Sequence, residues 1–174
     1  TINIITKEPQ RNSAQVAHSL TMIGGSRPDN NTTLNASMVT DDQKAGIYLF
    51  GQNRTRSAYD HDGDGFSEIG HLNAKTVGFR SYIKTGTYSK LTFEYHNISE
   101  FRRGGNNLDL PPHETDITEQ TDHNINGGGL KFDLFSTDYK HRLNLYASSQ
   151  HTTRQSYYGA GKDPNAYGHT TDLT

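Results

Sequence analysis

Apolar residues fall on every second position along most of this chain and nowhere at helical spacing. Such alternation marks strands with one apolar and one polar face. From 13 to 23, Ala14, Val16, His18, Leu20 and Met22 share one side, against Ser13, Gln15, Ala17, Ser19 and Thr21. Leu34, Ala36 and Met38 line one side of 32–40. Ala45, Ile47 and Leu49 do the same across 45–56, opposite Tyr48, Phe50, Gln52 and Arg54. Val77, Phe79 and Ile83 mark a strand at 76–84, and Leu91, Phe93 and Tyr95 mark one at 90–100. Leu130, Phe132 and Leu134 mark 123–135, where Gly127-Gly128-Gly129 predicts a bend or bulge. Leu143, Leu145 and Ala147 mark 142–152. Residues 2–6 form a short β-branched run halted by Glu8-Pro9.

The connections alternate in length. Loops at 24–31, 57–74, 102–121 and 153–174 are long, and turns at 41–44, 85–89 and 136–140 are short. In an up-and-down meander all odd connections lie at one end and all even ones at the other. One end is therefore trimmed and the other elaborated. Strands of about ten residues, apolar outside and polar inside, with short turns below and long extracellular loops above, describe a transmembrane β-barrel. The pattern predicts an all-β, antiparallel up-and-down meander, about seven strands of such a barrel. Tyr88 and Tyr139 stand at the short turns, where an interfacial aromatic girdle belongs.

Composition narrows the picture. At 174 residues one domain is expected. Only 30% of residues are hydrophobic and the mean hydropathy is −0.86, low for a compact core. The net charge of −2 gives no reason to expect nucleic acid as a partner. Without cysteine, disulfides, thiolate metal sites and cysteine nucleophiles are excluded. No run approaches the length of a membrane helix. The chain opens inside a strand-like run with no signal peptide, which suggests a piece of a longer protein.

The candidate chemistry lies in Tyr59-Asp60-His61-Asp62-Gly63-Asp64-Gly65-Phe66-Ser67-Glu68. Aspartates on alternate positions repel one another unless a cation sits between them. Calcium takes six to eight oxygens, and its best-known loop places acids at positions 1, 3 and 5, glycine at 6 and a carbonyl at 7. Asp60, Asp62, Asp64 and Gly65 fill the first four of those places, the Phe66 carbonyl the next, and Glu68 stands at position 9. Position 12 should be a bidentate glutamate and is His71, and no helical pattern flanks the loop. The run is thus an EF-like turn between strands, suited to a structural Ca²⁺; Asp-Gly turns also close hairpins without any metal.

Other motifs carry less. The nine histidines have no metal-ligand spacing: His18 lies on the apolar face, His96 on the polar face and His141 at a turn. His61 and His71 flank the acidic run and stand where a metal's outer shell would be. Arg102-Arg103 beside Gly104 suits an anion but reads as an exposed loop pair. No nucleophile–base–acid set stands out, so no enzyme is expected.

Several stretches resemble TonB-dependent outer-membrane receptors. Ile2-Asn3-Ile4-Ile5-Thr6-Lys7 looks like the last plug strand, where such chains pass from plug to barrel. The order strand, loop, strand, turn, strand, then an Asp/Gly-rich loop is similar too. In the cobalamin receptors of that family the second extracellular loop carries calcium-binding aspartates, and Asp60, Asp62 and Asp64 fall in the matching place. Ser156-Tyr157-Tyr158-Gly159-Ala160-Gly161-Lys162-Asp163-Pro164-Asn165-Ala166-Tyr167-Gly168 looks like receptors of the Bacteroidetes type. The resemblance implies residues 1–8 as the end of a plug and 9–174 as the first part of a barrel of about 22 strands. It implies a Gram-negative outer membrane, energy coupling to TonB through a plug region upstream, and a surface lipoprotein as a further partner. The cargo would be a corrinoid, haem or an iron chelate.

A secreted, calcium-stabilised β-domain that binds a glycan or a protein is the alternative. The two differ in sidedness. In the secreted domain the Val16/Leu20, Ile47/Leu49, Phe79/Ile83 and Leu143/Leu145 faces are buried against a second sheet. In the barrel they form one band with no partner inside the chain.

Overall fold

The computed structural model describes residues 8–159 and 161–174. The strand expected at 2–6 and the plug-like run 2–7 lie outside the described residues. Eight strands follow one another: β1 Ser13–Ile23, β2 Arg27–Val39, β3 Ala45–Arg56, β4 Ser67–Gly86, β5 Ser89–Gly105, β6 Thr118–Phe135, β7 Arg142–Gly159 and β8 Tyr167–Leu173. A short 3-10 turn at Pro112–Glu114 is the one helical element among them. Each strand pairs antiparallel with its chain neighbours in a single sheet ordered β1 to β8, with β1 and β8 at open edges. No helix among the described residues is long and apolar enough to cross a membrane.

The register carries the apolar positions of the sequence into continuous rows. Ala36 faces Leu49, Leu49 faces Phe79 and Phe79 faces Tyr95. Lower down, Ala45, Ile83, Leu91, Phe132 and Leu145 stand side by side on five successive strands. Among the described residues no second layer packs against these side chains. Val16 is 70% exposed, Leu145 56% and Ile83 49%. Three alternate apolar positions on a strand span roughly 13 Å at the strand rise of 3.3 Å per residue. Tyr95 ends the band: its ring lies 6.2 Å from that of Phe79, and its hydroxyl donates to Asn126 Oδ1 at 2.9 Å. Above it the same face turns to amides, with Asn97 donating to Asn124 and Asn126.

The opposite face is polar and paired. Arg54 binds Asp29 through two nitrogens at 2.9 and 2.6 Å, Gln52 reaches Asn31, and Tyr48 donates to Asn35. Arg80 lies 3.9 Å from Glu94, and Asp133 receives both Lys131 and Arg142. Glu8–Asn12 also lie on this face, near the short-turn end. Glu8 pairs with Lys90 at 2.8 Å, Pro9 packs beside Gly46 and Tyr82, and Asn12 accepts from the Val39 amide.

Two short turns share one construction. In Thr40–Ala45 and Ser136–His141 the opening hydroxyl donates to the aspartate two positions on, Asp42 or Asp138. That carboxylate then accepts from the amide of Lys44 or Lys140, and Gln43 and Tyr139 take φ of 53° and 58°. These bonds hold the Asp42 carboxyl down at about 2. The rings of Tyr88 and Tyr139 meet across neighbouring turns, with centroids 5.5 Å apart.

Strands run further than the alternation predicts. The connection expected at 24–31 is a turn at Gly24-Gly25-Ser26, because β2 begins at Arg27. The loop at 57–74 ends at Ser67, that at 102–121 shrinks to 106–117, and the tail forms the upper part of β7 and all of β8. Gly127–Gly129 form no bulge. They pair in unbroken register with His96, Tyr95 and Glu94, and the missing Cβ of Gly127 makes room for the His96 ring.

Candidate metal centre

The acidic run lies between β3 and β4 at the end of the sheet that carries the longer loops. Tyr59 and Ile69 close its base with paired backbone bonds of 2.8 and 3.1 Å. Within that clasp the chain folds around its own carboxylates. Asp60 Oδ1 accepts from the Gly63 amide at 2.7 Å, and its Oδ2 from the Gly65 amide at 2.8 Å. Gly63 and Gly65 take φ of 79° and 91°, which side-chain-bearing residues rarely adopt. Asp62 accepts from Asp64, Asp64 from Phe66, and Glu68 Oε2 from His61 at 2.6 Å. The Gly65 and Gly63 amides hold the Asp60 carboxyl below the usual range for aspartate.

One oxygen from each of Asp60, Asp62, Asp64 and Glu68 lies within 4.8 Å of the others. None of the ion pairs among the described residues reaches these four acids. Four carboxylates that close together repel strongly, and only an amide or a cation offsets this. Hard oxygen donors with spare lone pairs could hold a hard divalent cation. The four acids read from the sequence are therefore brought together. Phe66 joins the cluster through its amide, which donates to Asp64. The two flanking histidines part company. His61 stays in the loop, its Nδ1 3.2 Å from the Tyr59 hydroxyl, whereas His71 sits in β4 with its ring against Phe101.

Sequence reasoning missed what anchors the loop. The Tyr59 ring lies directly on Gly24 of the β1–β2 turn, where a Cβ would come within 2.3 Å of it. Gly24 also has φ of 56°. Gly24→Ala should therefore cost about 1–2 kcal/mol from the backbone alone, with more from displacing Tyr59. Hydrogen exchange at the Tyr59 amide, bonded to Ile69, should quicken while exchange in β6 stays unchanged.

The arginine pair is corrected as well. Arg102 and Arg103 belong to β5, not to a loop. Arg102 is exposed and paired with Glu100 at 2.7 Å, but Arg103 is only 4% exposed. Among known proteins, no family model, curated protein or solved structure matches this chain.

Proposed function

We propose that this chain forms part of the wall of an outer-membrane barrel that takes up a scarce, bulky nutrient in a TonB-dependent manner. The continuous apolar band, exposed and without a partner among the described residues, carries this reading. A soluble monomer rarely leaves so large an apolar patch in water. In lipid the band needs no interlocking partner, while the polar face and its paired charges look onto a water-filled lumen. Tyr95 fits the boundary, its ring in the band and its hydroxyl among amides. Glu8–Asn12 cross the polar face, which is the side a plug segment upstream would occupy.

In this reading the acidic loop faces the outside medium. Asp60, Asp62, Asp64 and Glu68 hold a Ca²⁺, which would neutralise their repulsion when bound. The ordered loop, seated on Gly24, then forms part of the surface that meets a corrinoid, haem or iron chelate. A surface lipoprotein partner would dock at the same end.

The test is the location and behaviour of the native polypeptide. An antibody to 106–118 is used on membrane and soluble fractions, with and without heating. An outer-membrane band larger than 19.4 kDa that shifts on heating is expected. A soluble band that does not shift would overturn the reading and leave the secreted calcium-stabilised domain.

A further inference from the structure

The 106–117 segment does not stand away from the sheet. It folds back over the upper part of the face that lower down bears the apolar band. His71, Arg103, Gln120 and Tyr157 form one row there, opposite one another on four successive strands. Leu110 accepts a hydrogen bond from Arg103 Nη2 at 3.0 Å, and Tyr157 is 2% exposed. Between this segment, the Ser57-Ala58 corner and β5 lies a cleft of about 530 Å³.

Arg103 is the unusual element of that cleft. A guanidinium stays charged and has five donors. Arg103 uses Nη1 on Gln120 at 2.9 Å and Nη2 on Leu110, while its buried Nε has no partner. No ion pair among the described residues includes Arg103. A buried cation without a counter-charge is costly and marks a place where an anion would be stabilising. The side chain of Arg27, exposed on the same cleft, has neither hydrogen bond nor ion pair among the described residues. One acid lines the cleft, Asp109, and it is exposed and unpaired. Two arginines, one carboxylate and His71 thus line the same cleft. The rest of the lining is mixed: Ser57 and Gln120 are polar, and Ala58, Phe101, Leu108 and Leu110 are apolar.

We propose that this cleft binds a small organic anion, a carboxylate or phosphate group carried on an apolar body. The anion sits between Arg103 and Arg27, and the body lies along Phe101 and the two leucines. The fork of a guanidinium matches both anions in shape. His71, Arg103 and Gln120 lie on the apolar-band side of the sheet and Arg27 lines the cleft from the start of β2; the proposal does not rest on the transport reading.

The test uses the full chain folded in detergent micelles, with benzoate as probe, benzamide as its neutral counterpart and inorganic phosphate as the anion without an apolar body. Arginine Nε–H resonances report the site directly, and calorimetry corrected for empty micelles gives affinities. Benzoate should saturate and shift the Arg103 Nε–H resonance, while benzamide should not. Arg103→Lys should weaken benzoate about tenfold, as expected for loss of a charge-assisted fork. Arg27→Gln, on the exposed rim, should weaken it several-fold and leave the fold intact. If Arg103 only braces the 106–117 segment, Arg27→Gln leaves binding unchanged and the proposal fails. It fails equally if benzoate does not bind or if benzamide binds as well. Phosphate matching benzoate would remove the apolar body from the proposal. Should Arg103→Lys fail to fold, the Arg27→Gln result and the wild-type resonance decide.

Discussion

If the band faces lipid as proposed, Leu145→Arg should destabilise the folded chain in lipid vesicles by about 2–4 kcal/mol, the cost of placing a cation at mid-depth on a lipid-facing strand. Leu145 sits in the middle of the β7 apolar run, facing Phe132 across the strand pair, and is 56% exposed. An exposed leucine on a water-facing sheet would lose almost nothing, since such surface changes stay within about 0.5 kcal/mol. The environment of the band therefore sets the size of the effect. Tyr146, the next residue, points to the opposite face and is 63% exposed. On the same reading Tyr146→Arg should be nearly neutral, because a polar lumen would accept a cation. Urea titrations in vesicles, followed by strand circular dichroism and by gel mobility without heating, measure both. Equal costs for the two variants would place both faces in water and remove the membrane reading.

Asp60→Asn should lower the affinity of the acidic loop for Ca²⁺ by on the order of tenfold or more, since affinity there follows ligand charge. The effect has two sources. One charge leaves a cluster of four carboxylates, and an amide nitrogen replaces an oxygen that accepts from Gly63 or Gly65. Tb³⁺ provides the readout in place of Ca²⁺, excited through Tyr59 at the base of the loop. Wild-type emission should be displaced by Ca²⁺, and that of Asp60→Asn should need far more metal to appear. Emission that ignores the substitution would place the ion elsewhere. Acid should act in the same direction. The Asp60 carboxyl is depressed in the fold, so its contribution is present above the ordinary aspartate range and disappears as pH falls through its lowered value. The metal-free loop should therefore hold its shape at neutral pH and lose it only in strong acid.

What could be read from the sequence followed one physical rule. Hydrophobic alternation reveals a strand only where one of its faces is apolar. The middle of β1 to β7 obeys that condition, and there the expected strands and faces coincide with those found. Above the band both faces are polar, so Arg102–Gly105, Thr118–Asp122, Thr153–Gly159 and β8 gave no such signal. The start of β2 was hidden for another reason. Pro28, Asp29, Asn30 and Asn31 favour turns, yet Asp29 and Asn31 are held extended by Arg54 and Gln52 on the next strand. The carboxylate cluster was legible because its spacing is local. The Gly24 seat beneath Tyr59 and the burial of Arg103 depend on contacts between distant parts of the chain, and no local pattern encodes them.

The strictly sequential strand order has a kinetic consequence. Each hairpin can close before the next is reached, so strand pairing within β1 to β8 needs only short loop closures. The shared hydroxyl–aspartate–lysine turns at Thr40–Ala45 and Ser136–His141 give two of these hairpins a preformed pivot, so zippering should start at both places independently and proceed towards the long-loop end. The acidic loop would then be among the last parts to set.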